Sequence, residues 1–413
     1  MKKIILIVLI ASCCFYPVKA QELGHLWEVA SLNNPELKAA FSQFKVAVEQ
    51  TAQVQLQDPN LSLGYFVQPI ETRVGAQVGR LSLSQSFPWF GTLKQQRKGA
   101  AFLAEAAHFR FLNTRNHLYF QIAEYYYRIG RLEEWLVLEN ENKLLLQALK
   151  ENATARYEND QGALVDILRV QMALDQAVAL LEVYQDQKKT LVEELRFLIN
   201  SPQTLELSPQ IPAESLILSD QSLGVEANPL VLALDAQIEA AQLGESVAVK
   251  QNLPQFRLGV DYAIIQENLN LPSSGADAWM PTLGLSLPIF KKKNRAAIEA
   301  SSLTTQALRE SRLAEINRLS ADVKAAQFRL KESQIEIEVL NKLILTAEQS
   351  VALLRTAYGN DAQDFEEVLR MHQQIITHKK SLAMQVEQMH VAQEKIQYLL
   401  GQFKVSTHAY KTK

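Results

Sequence analysis

The chain has 413 residues and balances 42 basic side chains against 45 acidic ones, for a formal charge of −3. That balance offers no basic field to hold nucleic acid. Its two cysteines, Cys13 and Cys14, are neighbours near the N-terminus, so no disulfide framework is available either.

Residues 1–20 read as an export signal. Lys2 and Lys3 open it, Ile4 to Ala11 form its apolar core, and Val18-Lys19-Ala20 is a small-residue cleavage site before Gln21. Cleavage there removes both cysteines and three lysines, which moves the charge from −3 to −6. A second reading takes Ile10-Ala11-Ser12-Cys13 as a lipoprotein box, with Cys13 carrying an outer-membrane lipid anchor. No later run of 18 or more apolar residues follows, so any membrane contact is made through strands or lipid, not a spanning helix.

The remainder is written twice. Tyr157, Asp166, Leu168 and Arg169 recur 201 residues later as Tyr358, Glu367, Leu369 and Arg370. At a slightly smaller offset, Asn34-Pro35 recurs as Asn228-Pro229, and Pro59 as Pro254. A period this long is a duplicated half, not a solenoid repeat of about 20–50 residues. The first repeat covers 21–200, a Pro-interrupted linker 201–227, the second repeat 228–401, and a short loose tail 402–413.

Each repeat alternates two textures. Leu61, Leu63, Tyr65 and Val67 alternate with small or polar residues, as do Leu81, Leu83 and Phe87. The second repeat does the same with Phe256, Leu258, Val260 and Tyr262, then Leu283, Leu285, Leu287 and Ile289. These period-two runs predict strands over about 60–68, 77–87, 255–264 and 280–289, paired as hairpins across the Gly/Pro-rich segments 69–75 and 271–275.

Long helical stretches follow, predicted over about 93–156 and 163–199, and again over about 294–357 and 363–400. The longer ones would reach roughly 90 Å at 1.5 Å per residue. Ile316, Val323, Leu330, Ile337, Ile344 and Val351 recur every seven residues, with Leu319, Ala326, Leu340, Ala347 and Leu354 three later and Ser333 interrupting. The return helix carries Val368, Ile375, Leu382, Met389 and Ile396 at that spacing, and its duplicate Ile167, Leu174, Leu181 and Leu195. This is a coiled-coil seam folded into antiparallel hairpins. The tips, Asn159-Asp160-Gln161-Gly162 and Gly359-Asn360-Asp361, hold the residues that tolerate left-handed backbone.

The strands suit a membrane barrel, with Trp89, Phe90, Trp279 and Phe290 at strand ends as interface aromatics. Two soluble hairpins packed on helices are the plainer alternative. A chain with four strands cannot close alone, because the smallest bacterial barrels have eight. A dimer would give eight strands around a filled core, a trimer twelve with a bore. The Ser, Gly and Gln on the polar faces favour the trimer.

The order of these features resembles the TolC-like outer membrane efflux proteins. The resemblance rests on the duplication, Ser86-Phe87-Pro88-Trp89-Phe90-Gly91, Leu285-Ser286-Leu287-Pro288-Ile289-Phe290, and the stretch from Ala155-Arg156-Tyr157 through Asp166 to Gln171. The Phe-Pro-Trp-Phe-Gly form resembles the branch serving cation and heavy-metal pumps. The resemblance implies a homotrimer, mainly α with a twelve-stranded outer-membrane barrel and a periplasmic helical tunnel. It implies a Gram-negative outer membrane as the site, with a periplasmic adaptor and an inner-membrane pump of the RND type as partners, and no cofactor. By position, Asn159, Asp160, Gln161, Gly162, Asn360, Asp361 and Ala362 would face the adaptor. Asp166, Arg169, Glu367 and Arg370 would lie at the periplasmic constriction. Arg370 departs from the paired carboxylates of the drug-efflux branch, so ion pairs replace a bare acidic ring; the plain account is a pair of i,i+3 helix contacts. Lys291, Lys292 and Lys293 read as a solvated turn, or as a contact to lipid phosphate.

No nucleophile elbow, phosphate loop or His-Glu-x-x-His occurs. His372 and His378 are six apart and share no helix face well, Trp135 and Tyr125-Tyr126-Tyr127 read as packing, and no metal site is expected. A periplasmic adaptor, an outer-membrane enzyme and the exit duct of a type I protein secretion system are the competing functions.

Overall fold

The computed structural model describes residues 21–212, 224–267, 275–358 and 365–402. The predicted export segment with Cys13, the tail from 403, and Asn360, Asp361 and Ala362 lie outside the described residues. The elements in chain order are α1 (Gln21–Asn33), α2 (Pro35–Gln53), β1 (Asn60–Thr72), β2 (Gly75–Phe87), α3 (Thr92–Glu158) and α4 (Leu164–Leu198), then α5 (Pro229–Gln251), β3 (Gln255–Gln266), β4 (Ala278–Ser286), α6 (Lys291–Tyr358) and α7 (Phe365–Leu399). From α2 and from α5 onward the two halves carry the same order of one helix, two strands and two helices, and the chain groups into two compact units.

One unit comprises Met1–Ala39, Leu112–Asn228 and Asn317–Lys413. In its share of α6, the heptad positions Leu319, Val323, Ala326, Leu330, Leu340, Ile344, Ala347 and Val351 are buried. Ser333 is fully buried too, so the polar interruption lies inside the seam. On α7, Val368, Ile375, Met389 and Ile396 are buried as the spacing predicts. On α4 the expectation needs correction. Leu195 is buried as the spacing predicts, but Ile167, Leu174 and Leu181 are only half-buried; toward the tip the buried positions are Val170, Ala173 and Ala177, joined in one cluster by Leu146 and Ala153 of α3 and Leu369 of α7. The small alanines let neighbouring helices approach where a strict heptad would put bulk. Lys188, which breaks the α4 pattern, pairs with Glu133 of α3.

A buried polar cluster joins α3 to α7. The Glu139 side chain is 1% exposed and pairs with Lys380. Asn142 Nδ2 donates to Glu139 Oε1 at 2.7 Å, Trp135 Nε1 donates to the Lys380 carbonyl at 2.9 Å, and the Lys380 ammonium lies over the Tyr184 ring of α4. A buried carboxylate is tolerable only with such partners.

The linker crosses this unit as a strap. Ser208 Oγ donates to Glu133 Oε1 at 3.4 Å, and a ring nitrogen of buried His390, Nε2, lies 2.8 Å from the Pro212 carbonyl oxygen. Beneath it α3 carries Gly130, where a Cβ would sit 2.7 Å from Ile211 Cγ1 and 3.2 Å from the Pro209 oxygen. Glycine costs about 1 kcal/mol inside a helix, and here the close approach of the strap requires it.

The other unit comprises Ala40–Phe111 and Pro229–Ile316. Its strands form one antiparallel sheet in the order β1-β2-β3-β4. Cα partners Leu63↔Leu81, Leu81↔Tyr262, Leu83↔Val260, Phe87↔Phe256, Leu258↔Leu283 and Tyr262↔Trp279 put the apolar positions of all four strands on one face. Ser62↔Ser82, Ser82↔Asp261, Ser84↔Gly259 and Arg257↔Gly284 set the small and polar residues on the other, where Arg80 pairs with Asp261. The apolar face is bare: Leu63 is 80%, Val67 89% and Leu283 75% exposed. β1 runs past the expected turn, through Pro69 to Thr72, and the hairpin closes over two residues before Gly75 at φ 127°. Pro69 falls in a register shift between Tyr65 and Ile70 on an edge strand, where a missing N–H breaks no ladder bond. β4 begins at Ala278 and ends at Ser286, not 289, so Leu287 to Phe290 lie outside the sheet, and Lys291, Lys292 and Lys293 form the first turn of α6, not a free turn.

The asparagine of each Asn-Pro pair ties down the end of a return helix. Asn34 Oδ1 caps α2 by accepting the Leu37 N–H at 2.8 Å, while its Nδ2 donates to the Leu198 carbonyl at the end of α4, 2.7 Å away. Asn228 Nδ2 donates to the Leu399 carbonyl at the end of α7 at 2.9 Å. The prolines follow as first helical residues, where their missing N–H has no partner to lose. The left-handed residues past each return helix also match: Asn200 at φ 51° and Gly401 at φ 68°. Asn34→Ala and Asn228→Ala should each cost about 1–3 kcal/mol, since both asparagines are buried. Thermal unfolding of the detergent-solubilised chain measures it, and unchanged midpoints in both variants refute the tie.

Candidate functional site

The first hairpin tip is built by its backbone. The N–H groups of Asn159 and Gln161 both reach the Arg156 carbonyl, at 3.2 and 2.8 Å, and that of Asp160 reaches Tyr157 at 3.1 Å. Asp160 is left-handed at φ 60°, and Asn159 Nδ2 donates to the Ala155 carbonyl at 2.7 Å. All of Asn159, Asp160, Gln161 and Gly162 are exposed, as a docking tip requires. Beyond the turn α4 presents an apolar stripe at helical spacing: Leu164, Val165, Leu168 and Met172 are 48–72% exposed. The sequence pattern hid this stripe, because an apolar run at a helix start reads as core until burial is known.

The four constriction candidates separate into two sets. Arg370 forks onto Glu367 along α7, with Nε 2.9 Å from Oε2. That pair lies within one helix. Arg169 is different: its guanidinium lies 3.6 Å from Asp166 on its own helix and 2.9 Å from Glu366 on α7. Among the described residues at the tips, this is the ion pair that crosses between helices. Glu366 was missed from sequence because it neighbours the matching position Glu367; only the packing of α4 on α7 shows which carboxylate faces Arg169. The hydrogen bond from Arg370 and its positive charge hold the Glu367 carboxyl below the usual carboxylate range, and the Arg370 guanidinium is pushed up in return.

Elsewhere on α7 a His372 ring nitrogen lies 3.0 Å from Asn142 Oδ1 of α3. No group of three or more His, Cys, Asp or Glu among the described residues could hold a metal ion. Trp135 belongs to the Lys380 cluster, and Tyr126 and Tyr127 are buried, Tyr127 stacked on His390 at 5.0 Å.

The interface aromatics collect at the two ends of the sheet. Trp89 is half-buried and stacks on Phe256 at 5.7 Å, whereas Phe90 beside it is 77% exposed. Phe290 is 71% exposed but lies past the end of β4, one residue before α6. At the far end Trp279, 72% exposed, packs on Tyr262 at 4.8 Å. From Phe256 to Tyr262 the band spans roughly 20 Å, at about 3.3 Å per residue. No described helix is long and apolar enough to cross a membrane.

Residues 222–402 match the sequence profile of the outer membrane efflux protein family. No curated protein matches the sequence. Among solved structures, a membrane protein from Pseudomonas aeruginosa superposes with a TM-score of 0.78 at 18% identity, covering 92% of each chain. A structure of CusC, described in terms of folding and transmembrane channel formation, gives 0.78 at 16% identity over 94% of this chain and 95% of that one. The outer membrane protein VceC of Vibrio cholerae gives 0.77 at 18% identity over 92% and 96%. The chain shares the fold of these proteins, and over residues 222–402 the match agrees with the resemblance read from the sequence.

If the tips form the constriction that the resemblance implies, the crossing pair should matter more than the intrahelical one. Glu366→Ala should raise single-channel conductance in a planar bilayer above that of Glu367→Ala with Arg370→Ala. Equal or unchanged conductance in all variants removes the crossing pair from the constriction. Because the Glu367 pKa is depressed, its pair with Arg370, flanked by Glu366, Arg169 and Asp166, is complete above the usual carboxylate pKa of about 4.3 and is lost only as pH falls below it. Conductance contributed by that pair should therefore stay flat from about pH 8 to pH 5.

Proposed function

We propose that this chain is the exit duct of a tripartite efflux system, a homotrimer in the outer membrane of a Gram-negative bacterium. It conducts passively what an RND-type inner-membrane pump and a periplasmic adaptor deliver. One observation carries the reading: a four-stranded sheet with one bare apolar face, one small and polar face, and two free edges. In lipid, unpaired edge groups cost several kcal/mol each, so the β1 and β4 edges must meet other copies. Three copies supply twelve strands, enough for a bore. The Ser- and Gly-lined face then meets water, and the apolar face meets acyl chains.

The helical unit supports the same reading. Its long hairpins bury an internal seam yet leave Phe328, Ile335 and Leu345 of α6 exposed, which suits packing against neighbouring copies. The exposed tip 159–162 with the stripe Leu164, Val165, Leu168 and Met172 suits an apolar adaptor tip. Glu367 and Arg370 remain candidates for the constriction, with Asp166, Arg169 and Glu366.

Expressed in full, the protein should fractionate with the outer membrane, run as a trimer that heating converts to monomer, and form ion-conducting channels in planar bilayers. A soluble monomer without channel activity would overturn the reading. Deletion in the native host should increase sensitivity to one or more of copper, zinc and detergents.

A further inference from the structure

The junction between sheet and helices carries charge that local electrostatics does not explain. Lys291, Lys292 and Lys293 form the first turn of α6, and Lys94 and Lys98 lie in the first two turns of α3. Neither helix has an acidic residue in its first turn. From Pro88 to Ala104, and from Leu287 to Ile298, the chain contains no acid at all. Cations at a helix N-terminus oppose the macrodipole, and Lys94 and Lys98, four apart, repel on one face. All five lysines are exposed, and none forms an ion pair among the described residues.

The segments that bear them are brought together. Asn252 Nδ2, just past α5, donates to the Asn294 carbonyl in the first turns of α6 at 3.4 Å. A Cβ on Gly91, ahead of α3, would lie 2.9 Å from the Lys250 ammonium at the end of α5. Immediately on the sheet side stand the exposed rings of Phe90 and Phe290, and beyond them the bare apolar face. Aromatic rings next to acyl-facing side chains, followed by a band of unneutralised lysines, match the order of a leaflet: acyl chains, interface, phosphate. Successive helical residues are 100° apart, so the lysine triplet spans about 200° of α6 and cannot turn wholly inward at any helix rotation.

We infer that the lysines at the start of α3 and α6 form a belt that binds the phosphates of anionic phospholipid in the leaflet facing the helices. The inference rests on the outer-membrane reading, and the band of opposite charge that it requires is what those exposed, unpaired lysines lack. Each lysine near an anionic surface adds to binding, and the contribution fades with salt.

The test uses the full chain in detergent and counts retained lipid by native mass spectrometry, with phosphatidylglycerol titrated against phosphatidylcholine. The wild type should prefer phosphatidylglycerol. Lys291→Gln/Lys292→Gln/Lys293→Gln should weaken that preference roughly tenfold or more, Lys94→Gln/Lys98→Gln by a smaller factor, and Lys342→Gln on the distant part of α6 not at all. Equal retention of the two lipids, an unchanged triple variant, or complete displacement by millimolar inorganic phosphate would each overturn the belt; displacement would assign the site to a free anion. Channel formation is read separately. A wild type that retains phosphatidylglycerol but forms no channel keeps the belt and sinks the duct, and a conducting channel without lipid preference does the reverse.

Discussion

Backbone groups at a sheet edge must find partners wherever water is absent, and this requirement shapes the whole chain. The sheet of β1 to β4 ends in two unpaired edges and bares its apolar face. In the proposed membrane setting neither feature is a defect. The bare face is solvated by lipid, and the edges define where one copy joins the next. Pro69 in β1 and Pro281 in β4 are confined to those edge strands, where a missing N–H need not interrupt the internal ladders. Gly259 and Gly284 fall on the polar face; a Cβ on Gly259 would lie 2.7 Å from Thr282 Oγ1. Small residues there keep that face shallow.

The helical unit answers a different problem, which is how very long helices keep their register. A heptad seam specifies a partner face but is indifferent to a slide by one repeat. Isolated polar contacts remove that indifference. Glu139 with Lys380, Arg131 with Glu387, and the ends held by Asn34 and Asn228 each have a single acceptable alignment. The strap over Gly130 adds another, since only one turn of α3 lacks a side chain at that height. Buried ion pairs contribute little net stability compared with apolar packing, and their retention here fits a role in alignment.

The duplication explains why both problems are solved twice with variations. Asn-Pro begins each repeat and ties the end of its return helix, and a left-handed residue follows that helix in both. The tips differ. Arg169 reaches across to Glu366, whereas Arg370 stays on its own helix with Glu367. Equivalent positions in the two halves therefore do unequal work: one arginine ties two helices together, the other stays within its own.

Strand hairpins and long helix pairs were legible in the order of residues, because each follows from a local period or a turn residue. The alternation of Leu61, Leu63 and Tyr65 requires a strand with one apolar face whatever surrounds it, and the heptads of α6 require partner helices. Packing decided what periodicity leaves open. Burial moved the α4 seam to Val170, Ala173 and Ala177, β4 stopped at Ser286 and released Phe290, and Glu366, not Glu367, faced Arg169. The cluster of Glu139, Asn142 and Lys380 joins residues more than 230 positions apart. Local pattern states which face of an element must be covered. Only the three-dimensional fold states which atoms cover it, because that depends on contacts between segments whose separation in sequence carries no periodic signal.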